Sequence, residues 1–279
     1  MPSWFKRFFS PSALRTLMEI ILDGRTVFAA TGGQNFDPDR PAVVFLHGAG
    51  MDHTVWALQT RWFAHHGRSV LALDQPGHGR SPGPALRSIE EMAELTRSVI
   101  ASVGAQRVVL VGHSMGALVA LEAAARLGAV ASGLALLGAT PQMPVHPELL
   151  AAAERGEHGA VDLMVTWSVG RAAQLGRNDA PGLWLTGAAL RLLERADRKS
   201  LAADLAACDG YRGAIAAAAR CTCPTLLILG GDDRMTPPAK GADFARAFAN
   251  GRAAMLHQAG HMMMLEDPGG TLAALKEVA

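Results

Sequence analysis

Cysteine is scarce in this chain, and so are net charge and long apolar runs. The three cysteines, Cys208, Cys221 and Cys223, are an odd number and build no disulfide framework. Cys221 and Cys223 lack partners at the spacing of a metal site, so we expect buried thiols and no metal. The formal net charge of +1 gives no electrostatic footprint for nucleic acid. No run approaches the ~20 apolar residues of a helix that crosses a bilayer.

Apolar residues are abundant and make up 49% of the chain, against 18% charged residues. This composition is typical of a globular protein, and 279 residues suffice for one large core with an inserted subdomain. Residues 1–11 mix aromatic and cationic side chains, but Pro11 ends the segment and no apolar core of a signal peptide follows. We therefore predict a cytoplasmic protein without firm membrane association or a nucleic-acid partner. The sequence leaves the oligomeric state open.

One serine stands where a strand-like run meets a helical pattern. Residues 112–116 read Gly-His-Ser-Met-Gly, directly after the apolar run 108–111 and directly before an alanine-rich stretch. In Gly-x-Ser-x-Gly a sharp turn exposes the serine hydroxyl, and the glycines let the helix approach the strand closely. Serine is a weak nucleophile unless a base removes its proton. Ser114 therefore predicts a base, an acid and an oxyanion site elsewhere in the chain.

Other loops behind apolar runs carry the groups that such a nucleophile needs. The loop 47–50, His-Gly-Ala-Gly, can leave a backbone N–H free, so we predict that the N–H groups of Ala49 and Met115 form an oxyanion hole. Asp233 and His261 follow two later strand-like runs. The chain order Ser, Asp, His is that of one hydrolase architecture and differs from the chymotrypsin and subtilisin orders.

Together these segments resemble the α/β-hydrolase superfamily over nearly the whole chain. The resemblance implies an α/β fold with a mostly parallel eight-stranded sheet flanked by helices, and it favours Asp233 over Asp232 as the acid. Ala117 stands where many relatives have a second glycine, a departure that affects no catalytic group. The landmarks are residues 47–50, 74–81 (Asp-Gln-Pro-Gly-His-Gly-Arg-Ser) and 112–116, Asp233 four residues before Pro237, and Gly260-His261 ahead of Leu265-Glu266.

Strand-like runs alternate with helical patterns along most of the chain, as in a parallel sheet covered on both faces. Asp-Gly-Arg at 23–25 separates two short runs and predicts a hairpin. From 141 to about 220 strand-like runs vanish and helical patterns dominate. That stretch resembles the helical cap that many family members insert after the sixth strand. We therefore predict a hydrolase core in residues 1–140 and 221–279 and a cap in 141–220.

The predicted cap would roof the site and shape a substrate pocket. We call residues 47–50 the oxyanion loop. We expect His53 and Trp56, which follow this loop, and Trp167 and Trp184, which lie in the predicted cap, to line the pocket. The alternative for each apolar cap residue is packing of the cap onto itself. Four further cap candidates are Leu163, Met164, Leu183 and Leu185.

Other polar residues near these motifs are expected to have structural roles. His47 and His78 would hydrogen-bond the backbone of the loops that carry them, and His113 would point away from the nucleophile. Glu266 and Asp267 follow the predicted base closely and suit the first turn of the last helix, where acidic groups interact favourably with the helix dipole.

The predicted chemistry is serine hydrolysis without a metal or an organic cofactor. His261 would accept the Ser114 proton, Asp233 would orient the imidazole, and an acyl-serine would form and be hydrolysed. A carboxylic ester with a small or medium apolar acyl group is the favoured substrate. The same triad also suits a carbon–carbon bond hydrolase, a lactonase or a cofactor-free perhydrolase. A catalytically silent, ligand-binding paralogue is the alternative outside catalysis.

Overall fold

Eight strands form a single sheet in the computed structural model, which describes residues 17–176 and 182–279. Their order in the sheet is β1-β2-β4-β3-β5-β6-β7-β8. β2 pairs antiparallel with β1 and β4, and all other neighbours are parallel, which confirms the mostly parallel eight-stranded sheet. The aromatic and cationic segment 1–11 lies outside the described residues. The strands are β1 (Leu17–Leu22), β2 (Arg25–Ala30), β3 (Ala42–Leu46), β4 (Ser69–Leu73), β5 (Val108–His113), β6 (Ala131–Leu137), β7 (Thr225–Gly230) and β8 (Gly251–Leu256).

The first two strands form the predicted hairpin. Leu22 pairs with Arg25, so the turn contains two residues, Asp23 and Gly24. Their φ angles are +50° and +77°. Positive φ at both central positions is the geometry of a type I′ turn, whose twist matches that of the flanking strands, and Asp-Gly is a favoured pair there.

Helices cover both faces of the sheet, which explains why β3, β4, β5 and β7 are buried along their whole length. Alternate residues of β3 enter different clusters: Val44 packs beneath α2 and α3, and Phe45 packs beneath α1 and α12. The helices that flank the sheet are α1 (Ala57–His65), α2 (Ile89–Ser102), α3 (Met115–Leu127), α10 (Pro238–Ala245), α11 (Met263–Glu266) and α12 (Pro268–Leu275), and two 3₁₀ turns lie at His53–Trp56 and Gly128–Val130.

Six helices lie between β6 and β7, and no strand occurs among the described residues of that stretch. The helical character predicted there agrees with the structure, although α9 packs against α3 of the sheet layer. The division into core and cap stays a prediction. We call this stretch the helical segment; it contains α4 (Pro147–Glu154), α5 (His158–Ser168), α6 (Arg171–Gln174), α7 (Leu185–Arg195), α8 (Arg198–Gly210) and α9 (Ala214–Arg220).

Two further sequence expectations concern membranes and thiols. Within residues 17–176 and 182–279, no helix combines the length and the apolar content that crossing a membrane requires. All three cysteines are buried and free.

Candidate active site

Ser114 occupies the turn between β5 and α3 in a strained backbone conformation. Its φ and ψ are +53° and −120°, a region that non-glycine residues rarely enter and that costs about 1–3 kcal/mol. Both flanking glycines are needed for the turn. A Cβ on Gly112 would lie 2.1 Å from the Gly116 carbonyl oxygen, and a Cβ on Gly116 would lie 2.3 Å from the Leu46 carbonyl oxygen. The local sequence therefore places the half-buried serine on a tight elbow at the cavity.

Asp233 and His261 meet beyond the ends of β7 and β8. Nδ1 of His261 lies 2.8 Å from Oδ2 of Asp233, and both side chains are buried. The Thr236 hydroxyl donates to the same oxygen at 2.6 Å, and the N–H groups of Met235 and Thr236 donate to Oδ1 at 2.8 Å each. Burial disfavours the Asp233 carboxylate, but His261 and these donors outweigh it and hold the pKa of Asp233 below its ordinary value. Asp233 therefore stays ionised beside the imidazole.

The rival carboxylate, Asp232, binds the backbone of the helical segment instead of the imidazole. Its Oδ2 accepts the backbone N–H of Arg171 at 2.7 Å, where α6 begins. This contact ties the strand end to the helical segment, and the carboxylate is thereby occupied. The structure thus brings Asp233, and not Asp232, to His261.

The second ring nitrogen of His261 is the one available for proton transfer. Nε2 is buried and has no hydrogen-bond partner among the described residues, the hydroxyl of Ser114 included. Ser114 and His261 nevertheless line the same cavity. Hydrogen bonds between nucleophile and base are often long in unliganded enzymes and shorten when substrate binds. Nδ1 is fixed by the carboxylate, so the geometry leaves Nε2 for the nucleophile or its substrate.

Glu266 holds the loop that carries His261, a role that sequence reasoning missed. Its carboxylate accepts the N–H groups of Gly170 (3.0 Å), Gly260 (2.9 Å) and Met262 (3.0 Å). Burial raises the pKa of Glu266 above its ordinary value, against the opposing effect of the three N–H donors. We expected Glu266 to serve the last helix, but it binds the two backbone N–H groups on either side of the base and a third in the helical segment. The acidic residue closely following Gly260-His261 was the available signal.

His113 supports the same loop from below, as predicted. Its Nε2 donates to the carbonyl oxygen of His261 at 2.9 Å, which requires the proton on Nε2. Burial and the neighbouring His261 lower the pKa of His113 to about 3, so the ring is neutral. A neutral ring with one fixed tautomer supports the backbone of His261 without adding positive charge beside the base.

The loop after β3 brings Ala49 to the cavity that Ser114 lines. The Ala49 N–H has no hydrogen-bond partner in the described part of the chain. Met115 is the first residue of α3, and helix geometry leaves its N–H without an intrahelical acceptor. Gly48 is required next to them, since a Cβ there would lie 2.8 Å from Nδ1 of His113. Ala49 thus offers a free N–H in a loop at the cavity, and Met115, the residue after Ser114, offers a second one at the start of α3.

The cavity above Ser114 has a volume of about 400 Å³ and mostly apolar walls. Of the predicted pocket residues, Trp167 and Met164 line it. Sequence reasoning missed the residues that precede and begin α4 and those after Asp233. These further wall residues include Met143, Val145, His146, Leu149, Arg234 and Met235.

Three predicted pocket residues lie away from this cavity, which corrects the sequence expectation for them. Trp56 is fully buried in the sheet layer, with its ring 5.2 Å from that of Phe45. His53 is held by Asp74, since Nδ1 lies 2.9 Å from Oδ1 of the carboxylate. Trp184 is 72% exposed at the start of α7. Of the other cap candidates, Leu185 is buried in the core, and Leu163 and Leu183 pack against the core clusters.

One group of side chains has the composition of a cation site. Ligand atoms of Asp52, His53 and Asp74 lie within 4.8 Å of one another. Hydrogen bonds occupy them: Asp74 accepts from the backbone and ring of His53 and from the N–H of Arg80, and Asp52 accepts from the N–H and hydroxyl of Thr54. The cluster therefore serves to fix the turn after the oxyanion loop.

Comparison with known proteins decides the family. A family model described as "Alpha/beta hydrolase family" matches residues 43–275. The chain belongs to the α/β-hydrolase family. The resemblance inferred from the sequence is thereby confirmed, and with it the enzyme class, since similar proteins include enzymes named as hydrolases and esterases.

Individual relatives of this α/β-hydrolase have different substrates. (E)-2-((N-methylformamido)methylene)succinate hydrolase of Acinetobacter baylyi is 25% identical over 233 residues, which is 81% of this chain and 85% of that protein. A solved thermophilic esterase matches with a TM-score of 0.75 and 27% identity, over 94% of this chain and 96% of its own. The enol-lactonase of Burkholderia xenovorans LB400 shares the fold, with a TM-score of 0.83 and 21% identity over 94% and 99% of the two chains.

Proposed function

We propose that this α/β-hydrolase is a serine hydrolase that cleaves carboxylic esters with a small or medium apolar acyl group. The observation that carries the proposal is the pair formed by Asp233 and His261, with Nδ1 fixed at 2.8 Å and Nε2 free, in a cavity that the strained Ser114 also lines. A free imidazole nitrogen and an elbow serine in one apolar cavity serve acyl transfer and have no evident use in a purely structural protein.

In the proposed mechanism, Oγ of Ser114 attacks the ester carbonyl carbon while Nε2 of His261 takes the hydroxyl proton. The ionised Asp233 stabilises the imidazolium and keeps Nδ1 protonated. The N–H groups of Ala49 and Met115 bind the oxyanion, and one such donor contributes about 3 kcal/mol. The alkoxide leaves with the proton from Nε2, and water then attacks the acyl-serine with the same base. These steps need no metal or organic cofactor.

Apolar cavity walls support an apolar acyl group. Met164, Trp167 and Leu205 contribute them from α5 and α8, and a cavity of about 400 Å³ suits a small or medium ligand. We accordingly propose that residues 141–220 act as the cap that encloses the substrate, and that the enzyme works in the cytoplasm on a small molecule.

A second candidate is a lactone or ester that carries a carboxylate. Arg234 is the one permanently charged side chain among the described residues that line the cavity. Its Nη2 donates to the carbonyl oxygens of Thr166 and Val169, which leaves Nε and Nη1 for an anion. One relative is named for a succinate derivative and one fold neighbour for an enol-lactone. Carbon–carbon bond hydrolysis and perhydrolysis use the same triad and stay open.

The test uses a fluorophosphonate probe and chromogenic esters of increasing acyl length, with and without an added carboxylate. We expect labelling at Ser114, turnover of short apolar esters, and a fall of kcat by at least ~10⁴ in Ser114→Ala. Ser102→Ala, an exposed serine on α2, is the matched control and should retain full activity. Labelling without ester turnover would favour carbon–carbon cleavage. Turnover by Ser114→Ala within tenfold of wild type would refute the assignment, and a protein that neither reacts nor hydrolyses would be a binding paralogue.

A further inference from the structure

A buried histidine–aspartate pair joins the oxyanion loop to the helical segment. Asp204, on α8, is fully buried, and its Oδ2 lies 2.8 Å from both the backbone N–H of Gly50 and Nε2 of His78. Gly50 directly follows Ala49, whose N–H is a proposed oxyanion donor. His78 belongs to the loop after β4. One carboxylate oxygen therefore binds both the loop that carries Ala49 and the loop after β4.

The hydrogen bonds of His78 determine its charge. Nδ1 lies 3.1 Å from the carbonyl oxygen of Pro76, which can only accept a hydrogen bond. Nε2 faces the carboxylate of Asp204, which also accepts. Both ring nitrogens therefore carry protons, and the pair consists of an imidazolium and a carboxylate that are both buried. Removing one charge of such a pair is strongly destabilising, because the other charge is left buried without its partner.

Neighbouring groups agree with this assignment. The ring of His47 lies 5.0 Å from that of His78 and accepts the N–H of Gln75 through Nε2, so it is neutral. Burial and the proximity of His78 lower the pKa of His47. Burial opposes the charge on His78, but Asp204, the Pro76 carbonyl and the more distant Asp74 hold the pKa of His78 above its ordinary value. The ring of His78 is therefore surrounded by one neutral histidine, His47, and two carboxylates, Asp204 and Asp74.

The oxyanion loop packs against the helical segment at Gly50, the residue whose N–H binds Asp204. Gly50 has a φ of +67°, and a Cβ there would lie 2.9 Å from Leu193 of α7 and 3.0 Å from Leu201 of α8. The loop is thus pressed against two helices of the helical segment, and Asp204 supplies the hydrogen bond that fixes it there. Leu205 and Cys208, on the same helix, line the cavity.

We propose that Asp204 and His78 are positioning residues that hold the Ala49 N–H toward the oxyanion, and that they link α8 of the helical segment to catalysis. The inference rests on the proposed serine hydrolase function. The pair touches neither substrate nor nucleophile; it acts through Gly50. Loss of either charge leaves a buried partner uncompensated, releases the loop and misplaces one oxyanion donor.

Asp204→Asn tests the proposal because the amide oxygen still accepts a hydrogen bond while the negative charge is lost. We expect kcat for the best ester to fall about 10- to 100-fold, less than the 10²–10³-fold cost of deleting a donor, with KM changed less than about threefold. Lys199→Gln, an exposed site on α8, is the matched control and should keep the wild-type kcat. His78→Gln should behave like Asp204→Asn, and the double variant should be no worse than either single one.

Two further readouts separate positioning from folding. ¹⁵N NMR of the wild-type histidines should show both nitrogens of His78 protonated at neutral pH. The kcat of the wild type should fall as His78 deprotonates at alkaline pH, and in Asp204→Asn this fall should move to lower pH because the counter-charge is gone. Thermal unfolding identifies variants that fail to fold. If Asp204→Asn does not fold, the kcat of His78→Gln and the NMR of the wild type test the proposal instead.

The proposal is overturned if Asp204→Asn folds and keeps a kcat within twofold of Lys199→Gln, or if His78 is neutral at pH 7. A wild-type protein without esterase activity would instead refute the proposed function. The NMR result would then still decide whether the charged pair exists, so the two failures are distinguishable.

Discussion

Removing the Glu266 carboxylate should destabilise the loop that carries the candidate base. Glu266→Ala removes the carboxylate that binds the N–H groups of Gly170, Gly260 and Met262 at 3.0 Å or less, and it leaves those of Gly170 and Gly260 without another acceptor among the described residues. Two of these donors flank His261 within two residues, and the third belongs to the helical segment. The backbone N–H groups of His261 and Met262 keep their shared acceptor, the Ser168 carbonyl, so the loop should loosen rather than unfold.

The magnitude follows from the number of orphaned donors. An unsatisfied buried donor costs about 1–3 kcal/mol, so two cost about 2–6 kcal/mol, and because water can enter the space left by the side chain we expect the lower half of that range, about 2–4 kcal/mol. For a domain of this size each kcal/mol lowers Tm by roughly 2–4 °C, which gives a fall of roughly 4–16 °C. A base displaced by about 1 Å costs on the order of 10²-fold in rate, so kcat should fall about 10- to 100-fold even where the variant is folded.

Urea unfolding and calorimetry measure the stability, and ester hydrolysis well below Tm measures the rate. Glu277→Ala is the control, since Glu277 is exposed and its ion pair with Arg252, at 3.1 Å, is a surface pair expected to contribute about 0–1 kcal/mol. Equal stability of the two variants would refute the reasoning, because it would mean that the three hydrogen bonds contribute no more than one surface ion pair.

Two other substitutions test the remaining parts of the site. Asp233→Asn should lower kcat by about 10⁴, since the imidazole loses the carboxylate that fixes its tautomer. Because the folded pKa of Asp233 is lowered, its stabilising contribution is present above the unfolded value and is lost as pH falls through the folded pKa. The wild type and Asp233→Asn should therefore differ in free energy of unfolding at pH 7, and urea unfolding at decreasing pH should show this difference becoming smaller only in acid. A difference that stays constant as the pH falls would contradict this. Gly112→Ala should lower the free energy of unfolding by about 1–3 kcal/mol or more, because its Cβ would meet the Gly116 backbone. The control, Gly159→Ala on α5, has open space around its Cβ and should be neutral or stabilising by up to about 1 kcal/mol. Similar Tm values for these two variants would contradict the packing argument.

Local signals in the sequence predicted most of the sheet. The apolar run 225–229 became β7 and the run 252–256 became β8, with boundaries that differ by one residue. Asp-Gly at the first turn predicted the hairpin because the turn's φ angles depend on those two residues alone. Helical patterns also predicted that residues 141–220 are helical, and the resemblance to the family added what periodicity cannot give, namely that such a stretch is inserted after the sixth strand.

The site was predictable only where it lies next to a local motif. Ser114 and Asp233 directly follow strand ends, so their sequence position fixes their place at the carboxyl edge of the sheet. Trp56 also follows such a loop, but its 3₁₀ turn directs the ring into the layer beneath Phe45, and spacing alone does not show the direction of a side chain. The prediction that Trp184 lines the pocket was wrong for a related reason, since the residue before a helix is not part of the periodic pattern that shows which face is buried.

The contacts that sequence reasoning missed are distant in the chain. Glu266 binds Gly170, 96 positions earlier, and Asp204 binds Gly50, 154 positions earlier. Each is a single acidic residue whose partner is a backbone N–H, and a backbone N–H is present at nearly every position. No spacing rule can select such a pair, so only the folded chain identifies it.

These two carboxylates connect the helical segment to both halves of the candidate machinery. Glu266 joins the start of α6, through Gly170, to the loop of the base, and Asp204 joins α8 to the oxyanion loop. Because buried N–H groups must have acceptors, a displacement of the helical segment that broke either contact would cost free energy at the catalytic loops themselves. The arrangement implies that the helical segment does more than enclose a substrate: its position and the geometry of the base and the oxyanion donors are energetically coupled. A helical segment that only covered the cavity would need no buried carboxylate at either contact.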